Sequence, residues 1–214
     1  MMKLIGMLDS PYVRRVAVSL QFLGIPFEHR SISVFRQFEE FRAINPVVKA
    51  PTLICDDGTV LMDSTLILDY AQSLAPPGRS LLPRTVPERQ GALRIIGLAL
   101  AAAEKAVQII YERNLRPAEK QHEPWVERVT GQLLQAHAAL ESELERKPLS
   151  LQPVDQAGIT TAVIWHFTQR MLSEVVAAAA FPILQRFSAQ AEQLAEFRAA
   201  PHGPGTYPHN GLLG

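Results

Sequence analysis

This chain of 214 residues has one cysteine, no excess charge of either sign and no long apolar run, and each shortage excludes something. A single thiol cannot form an intrachain disulfide or a cysteine-only metal site. It points to a reducing compartment, or to indifference to redox. Lys and Arg total 21 and Asp and Glu total 21, a formal net charge of zero. That balance gives no long-range pull on nucleic acid or acidic lipid. The apolar run in the middle of the chain, Ile95 to Ala103, is closed by Arg94 and Glu104, whereas a spanning helix needs about 20 apolar residues. The opening MMKLIGMLDSPYVRR reaches Asp9 too soon for a signal peptide. The expectation is a cytoplasmic protein without nucleic-acid or membrane partners.

Common catalytic signatures are also missing. There is no GxSxG, GxGxxG or Walker loop, and His29, His122, His137, His166, His202 and His209 lack metal-ligand spacing. No metal site is expected.

What is present is globular: 47% hydrophobic and 20% charged residues. Pro76, Pro77, Pro83 and Pro87 mark residues 76–87 as a linker between two unlike halves, because proline cannot continue a helix and rarely sits inside a sheet. The first half, 1–75, alternates strands and helices. Lys3–Met7 is a short apolar strand. Ser10-Pro11 is an N-cap followed by proline at the first helical position. Val13, Val16, Ala17, Leu20 and Leu23 follow at helical spacing, and Gly24 stops the run. Phe27–Val34 is a weaker strand and Phe35–Ile44 a short helix or irregular segment. Thr52–Cys55 and Val60–Met62 flank Asp56-Asp57-Gly58-Thr59, a hairpin signal. Asp63-Ser64 caps a helix ending near Leu74. The order is βαβαββα.

The second half, 88–214, reads as all helical: 88–114, 125–146, 154–172 and 183–199, with an irregular tail from about 201.

Three local features remain. Ser10 sits between a strand and a helix start, where free N–H groups favour an anion. Asn45-Pro46-Val47-Val48-Lys49-Ala50-Pro51-Thr52-Leu53 puts a proline at the head of a strand. Asp63-Ser64 opens the helix that closes the half. Each alone reads as an ordinary cap or turn. Their order resembles the soluble glutathione transferases, in a bacterial-like, serine-type form, over about residues 2–199 and most specifically over 3–75. The resemblance implies a thioredoxin-like N-terminal domain followed by an all-helical C-terminal domain.

It also implies roles. Ser10 matches the hydroxyl that hydrogen-bonds the glutathione sulfur. A free thiol with pKa near 8.5 is mostly unreactive at neutral pH, and a hydroxyl donor at a helix N-terminus favours the nucleophilic thiolate. Ala50-Pro51 matches the family's cis-proline dipeptide, so that the cysteinyl backbone of glutathione pairs with Ala50 like an added strand. Lys49 meets the glycyl carboxylate, and Asp63 and Ser64 hold the γ-glutamyl end. Glutathione is the cosubstrate and no other cofactor is implied.

A hydrophobic electrophile is expected between the halves, lined by Leu8, Asp9, Phe35, Glu104, Val107, Gln108 and Tyr111, with Arg113 able to polarise it. The family also implies a homodimer using the helices at 64–75 and 88–113. Three residues depart from or sit beside the pattern. Gln152 replaces the hydroxyl of the usual Ser/Thr-x-x-Asp capping box ending at Asp155, which predicts a weaker cap. Tyr12 lies inside the helix and reads as packing. Cys55, between apolar neighbours, reads as a small buried hydrophobe, which argues against disulfide-exchange activity. Two other activities stay open on the same fold: a non-catalytic glutathione- or ligand-binding module, and a glutathione-dependent peroxidase or isomerase.

Overall fold

The structure is a computed structural model that describes residues 1–203. Most of the tail expected from about residue 201, with His209, lies outside the described residues. The described residues divide into two compact units, Met1–Leu81 with residues 194–203, and Leu82–Gln193.

The first unit is a four-stranded sheet in the order β2-β1-β3-β4 with three helices and a C-terminal turn of helix. Strand β1 (Met2–Ile5) pairs in parallel with β2 (Phe27–Arg30) and antiparallel with β3 (Thr52–Ile54), which forms a hairpin with β4 (Val60–Met62). Leu4 and Ile5 are 0% exposed because the central strand is covered on both faces. Helix α1 (Pro11–Leu23) starts where the sequence predicts and ends at Gly24, whose left-handed φ of 68° suits a residue without a Cβ. The hairpin turns through Gly58 at φ 87°, with Asp57 Oδ1 accepting from Thr59 N at 2.9 Å. Helix α2 (Phe38–Ile44) buries Phe41 against Ile5 and Ile32. Helix α3 (Ser64–Leu74) packs Ile67, Leu68 and Ala71 inward.

Several boundaries shift by one or two residues, β1 ending at Ile5 and the first helix of the second unit starting at Val86 inside the expected linker, and two differ more. Strand β2 stops at Arg30, short of Val34, because Ser33 Oγ accepts from Phe35 N and Arg36 N and turns the chain. The predicted helix over 183–199 is two helices, α7 (Pro182–Ala191) and α8 (Ala195–Arg198), separated by the extended Leu194. Helix α8 belongs to the first unit. Phe197 lies edge-on to Phe22 at 6.1 Å, and Arg14 Nε donates to Ala200 O at 2.8 Å.

The second unit is helical, with α4 (Val86–Leu115), α5 (Glu123–Arg146), α6 (Gln156–Met171) and α7. Helix α6 is buried along most of its length, from Gln156 to Trp165 without a break. The weaker cap predicted for it is corrected by the geometry. Asp155 itself is the N-cap, its Oδ1 accepting from Gly158 N at 2.8 Å, so Gln152 is not needed there. Trp165 Nε1 donates to Gln185 Oε1 at 2.9 Å, and the Glu141 carboxylate accepts from Ile183 N and Leu184 N at the start of α7. Among the described residues no helix is long and apolar enough to cross a membrane.

Candidate functional site

Ser10 is the N-cap of α1, with φ −67° and ψ 123°. Its Oγ accepts from Val13 N at 3.4 Å, a long bond that satisfies one free helix N–H. A hydroxyl has one hydrogen and two lone pairs, so this cap leaves the hydrogen available to an acceptor. Capping and donation to a sulfur are compatible at Ser10.

The loop before β3 is fixed by a buried polar network. Asn45 is 4% exposed. Its Nδ2 donates to Thr52 Oγ1 at 2.8 Å, and Thr52 Oγ1 donates to Lys49 O at 2.7 Å. Asn45 Oδ1 accepts from Val47 N at 3.1 Å. The Ala50–Pro51 peptide bond is cis. Two non-glycine residues near this loop have positive φ, Val48 at 51° and Asp63 at 61°. Such conformations cost on the order of 1–3 kcal/mol and persist where surrounding structure enforces them, commonly at ligand sites.

Asp63 caps α3, its Oδ1 accepting from Thr65 N at 2.8 Å while Oδ2 lies 3.9 Å from Lys49 Nζ. Lys49 and Asp63 are half-exposed, whereas Ser64 is 2% exposed. Ser64 Oγ accepts from Arg15 Nη1 at 3.0 Å, and Thr65 Oγ1 does so at 3.2 Å. Arg15 is buried on α1, and desolvation lowers its pKa to about 10, the Asp63 charge partly offsetting this. It stays charged at neutral pH.

These contacts close a ring. Gly6, at φ 130°, lies so near α1 and the loop that a Cβ there would be 2.7 Å from Val13 Cγ2 and 3.1 Å from Ala50 Cβ. The end of β1, the start of α1 and Ala50 therefore meet. Lys49 leads to Asp63, Ser64 to Arg15, and Arg15 returns to α1. Ser10, Lys49, Ala50, Pro51, Asp63 and Ser64 thus all sit on elements joined by direct contacts in the first unit.

A family model described as the glutathione S-transferase N-terminal domain matches residues 4–80, the stretch that holds this ring. The GST-like protein YibF of Escherichia coli (strain K12) is 29% identical over 163 residues, covering 75% of this chain and 79% of that protein. Residues 4–80 thus carry a glutathione S-transferase N-terminal domain. A glutathione transferase family member from Pseudomonas fluorescens Pf-5, solved with bound glutathione, is 27% identical, with a TM-score of 0.82 over 94% of this chain and 98% of that one. A glutathione S-transferase from Methylobacillus flagellatus, solved with glutathione bound, has a TM-score of 0.85 at 23% identity, over 94% of this chain and 98% of that one, and shares the fold.

The expected electrophile-lining residues divide between the units. Leu8 and Phe35 are half-buried and Asp9 is buried in the first, while Glu104, Val107, Gln108 and Tyr111 lie on α4 of the second. Gln108 Nε2 donates to Glu104 Oε1 at 3.0 Å. Arg113 is held by a bidentate pair with Glu123, which raises the guanidinium pKa and lowers that of the carboxylate. Cys55 is buried, and desolvation pushes its thiol pKa up, away from thiolate character. The sequence reading missed Gly6, Arg15 and Asn45. Of these only Gly6, a glycine closing an apolar strand before a helix cap, had a local signal.

Proposed function

We propose that the chain is a glutathione transferase, in which Ser10 donates its hydroxyl hydrogen to the sulfur of bound glutathione and so stabilises the thiolate that attacks an electrophilic carbon of a hydrophobic small molecule. The observation that carries the reading is the ring of contacts that gathers Ser10 at the positive end of α1 with the Ala50–Pro51 edge and the Lys49–Asp63–Ser64 group. Ala50 offers backbone groups to the cysteinyl residue as an added strand would. Lys49 takes the glycyl carboxylate. Asp63 and the N-terminus of α3 take the γ-glutamyl ammonium and carboxylate. Leu8, two residues before Ser10, and Phe35 are both half-buried and give the electrophile apolar surface on this unit.

The catalytic gain comes from charge stabilisation and positioning, with no covalent intermediate on the protein. Glutathione supplies the sulfur, so the raised pKa of Cys55 is no obstacle. Conjugation of a generic aryl halide with glutathione tests the reading. Turnover that falls on Ser10→Ala supports it. Tight glutathione binding without turnover overturns the enzyme in favour of a binding module, and absence of glutathione binding overturns both.

A further inference from the structure

His29 is half-buried on β2, and its Nε2 lies 2.7 Å from Gly6 O. A carbonyl only accepts, so this ring nitrogen carries a hydrogen and donates it. The bond stands where the backbone pairing of β1 with β2 stops. Gly6 N donates to Arg30 O at 3.1 Å, one residue past the end of β1. In a parallel pair the next bond would run from Ile32 N to Gly6 O. Ile32 N instead turns back to Arg30 O at 3.0 Å. The His29 side chain supplies the donor that the backbone withdraws, so Gly6 is held at its N–H and at its carbonyl.

The start of the candidate site hangs from this peptide. With φ 130°, Gly6 turns the chain out of β1, and it lies so close to α1 and the loop that a Cβ would be 2.7 Å from Val13 Cγ2 and 3.1 Å from Ala50 Cβ. Ser10 follows after one turn, closed by Ser10 N donating to Met7 O at 3.1 Å. The Ser10 cap and the Ala50 edge thus share one neighbour, and His29 holds that neighbour from the strand behind it.

Resting on the glutathione reading above, we propose that His29 is a positioning residue for the thiolate: by holding Gly6 O it sets the spacing between the Ser10 hydroxyl, which meets the sulfur, and the Ala50 edge, which meets the cysteinyl backbone. His29 acts through the Gly6 peptide and exchanges no proton with the substrates. Without its bond both anchors remain, but the hydroxyl and the sulfur no longer meet at the best distance and angle, and the thiolate loses stabilisation.

The test compares the wild type with His29→Phe, which keeps a ring and loses the donor, and His29→Gln, which keeps a donor and carries no titrating ring. The readouts are the thiolate absorbance of bound glutathione against pH and the pH profile of aryl-halide conjugation. In His29→Phe the bound thiol should ionise about half a pH unit higher, and conjugation below that pH should slow about threefold. The loss should shrink at higher pH, where the thiol ionises unaided. His29→Gln should lie close to the wild type. A residue that only supports the fold would change the melting temperature and leave the ionisation pH where it was.

An ionisation pH in His29→Phe equal to that of the wild type overturns the proposal. A shift in His29→Gln as large as in His29→Phe also overturns it, since ring packing and not the hydrogen bond would then be the cause. Long-range nitrogen–proton NMR of the wild-type histidine rings keeps the test decisive if the variants do not fold: a hydrogen on Nε2 of His29 is expected, and a bare Nε2, which cannot donate to Gly6 O, overturns the proposal alone. Wild-type protein that binds no glutathione removes the underlying reading and this proposal with it, and that result is visible before any substitution is made.

Discussion

Asn45 Nδ2 donates to Thr52 Oγ1 at 2.8 Å, and through that hydroxyl it holds Lys49 O, so one buried amide fixes the loop that presents Ala50. Asn45 is 4% exposed and Thr52 is 0% exposed, so neither bond is replaced by bulk water when it is lost.

Asn45→Ala should therefore lower stability by about 1–3 kcal/mol, the cost of removing the donor to the buried Thr52 Oγ1. Glutathione KM should rise, with kcat less affected, because the loop that carries Lys49 and Ala50 loosens while Ser10 stays on α1. Urea unfolding and steady-state kinetics check both parts. An unchanged KM in a destabilised variant would separate the network from the site.

Gly6 should tolerate no side chain. A Cβ there meets Val13 Cγ2 at 2.7 Å and the residue has φ 130°, whereas a Cβ at Gly58, with φ 87°, meets nothing within 4 Å among the described residues. Gly58→Ala should cost only the conformational penalty of about 1–2 kcal/mol. Gly6→Ala should cost this plus overpacking of about 1–3 kcal/mol, with weakened glutathione affinity as Ala50 is displaced. Equal thermal shifts for the two variants would show that Val13 and Ala50 yield easily.

His137 should make the helical unit acid-sensitive. It is 1% exposed, neither ring nitrogen has a hydrogen-bond partner among the described residues, and it packs edge-on to Trp165 at 5.2 Å. Burial lowers its pKa from 6.5 to about 4. Between those values the unfolded chain holds the proton and the folded chain does not, so stability is full above about pH 6.5 and is lost as the pH falls towards 4. The loss amounts to about 3 kcal/mol. Replacing the ring by Phe should flatten that part of the pH–stability curve and raise stability at pH 5. A variant curve parallel to the wild type across this window would assign the acid sensitivity elsewhere.

The sequence and the structure agree where the decisive interaction is local. Ser10-Pro11, Gly24, Asp57-Gly58 and Asp63-Ser64 carry their own caps and turns, and each lies at the predicted boundary. The candidate site residues Ser10, Asp63 and Ser64 lie on those caps, which is why their placement was legible. Arg15 was not. On its helix it reads as a solvated charge, but α1 is covered nearly all round, by α3 on one side and by α8 on another. The cover over its neighbour Arg14 comes from Ala200, 186 residues away, which no local pattern announces. The split of 183–199 was hidden likewise. The helical pattern continues through Glu192–Leu194, and only the packing of Phe197 on Phe22 and Arg14 turns the chain there. Asn45 looked like a turn residue, and its role depends on Thr52 and Met62 folding back over it.

The central claim is that Ser10 holds the glutathione sulfur as a thiolate, and the most direct measurement is the ultraviolet thiolate absorbance of bound glutathione as a function of pH. In the wild type the bound thiol should ionise well below the free value of about 8.5. In Ser10→Ala it should return by at least about one unit, with conjugation slowed about a hundredfold. The same ionisation pH in both proteins would contradict the account.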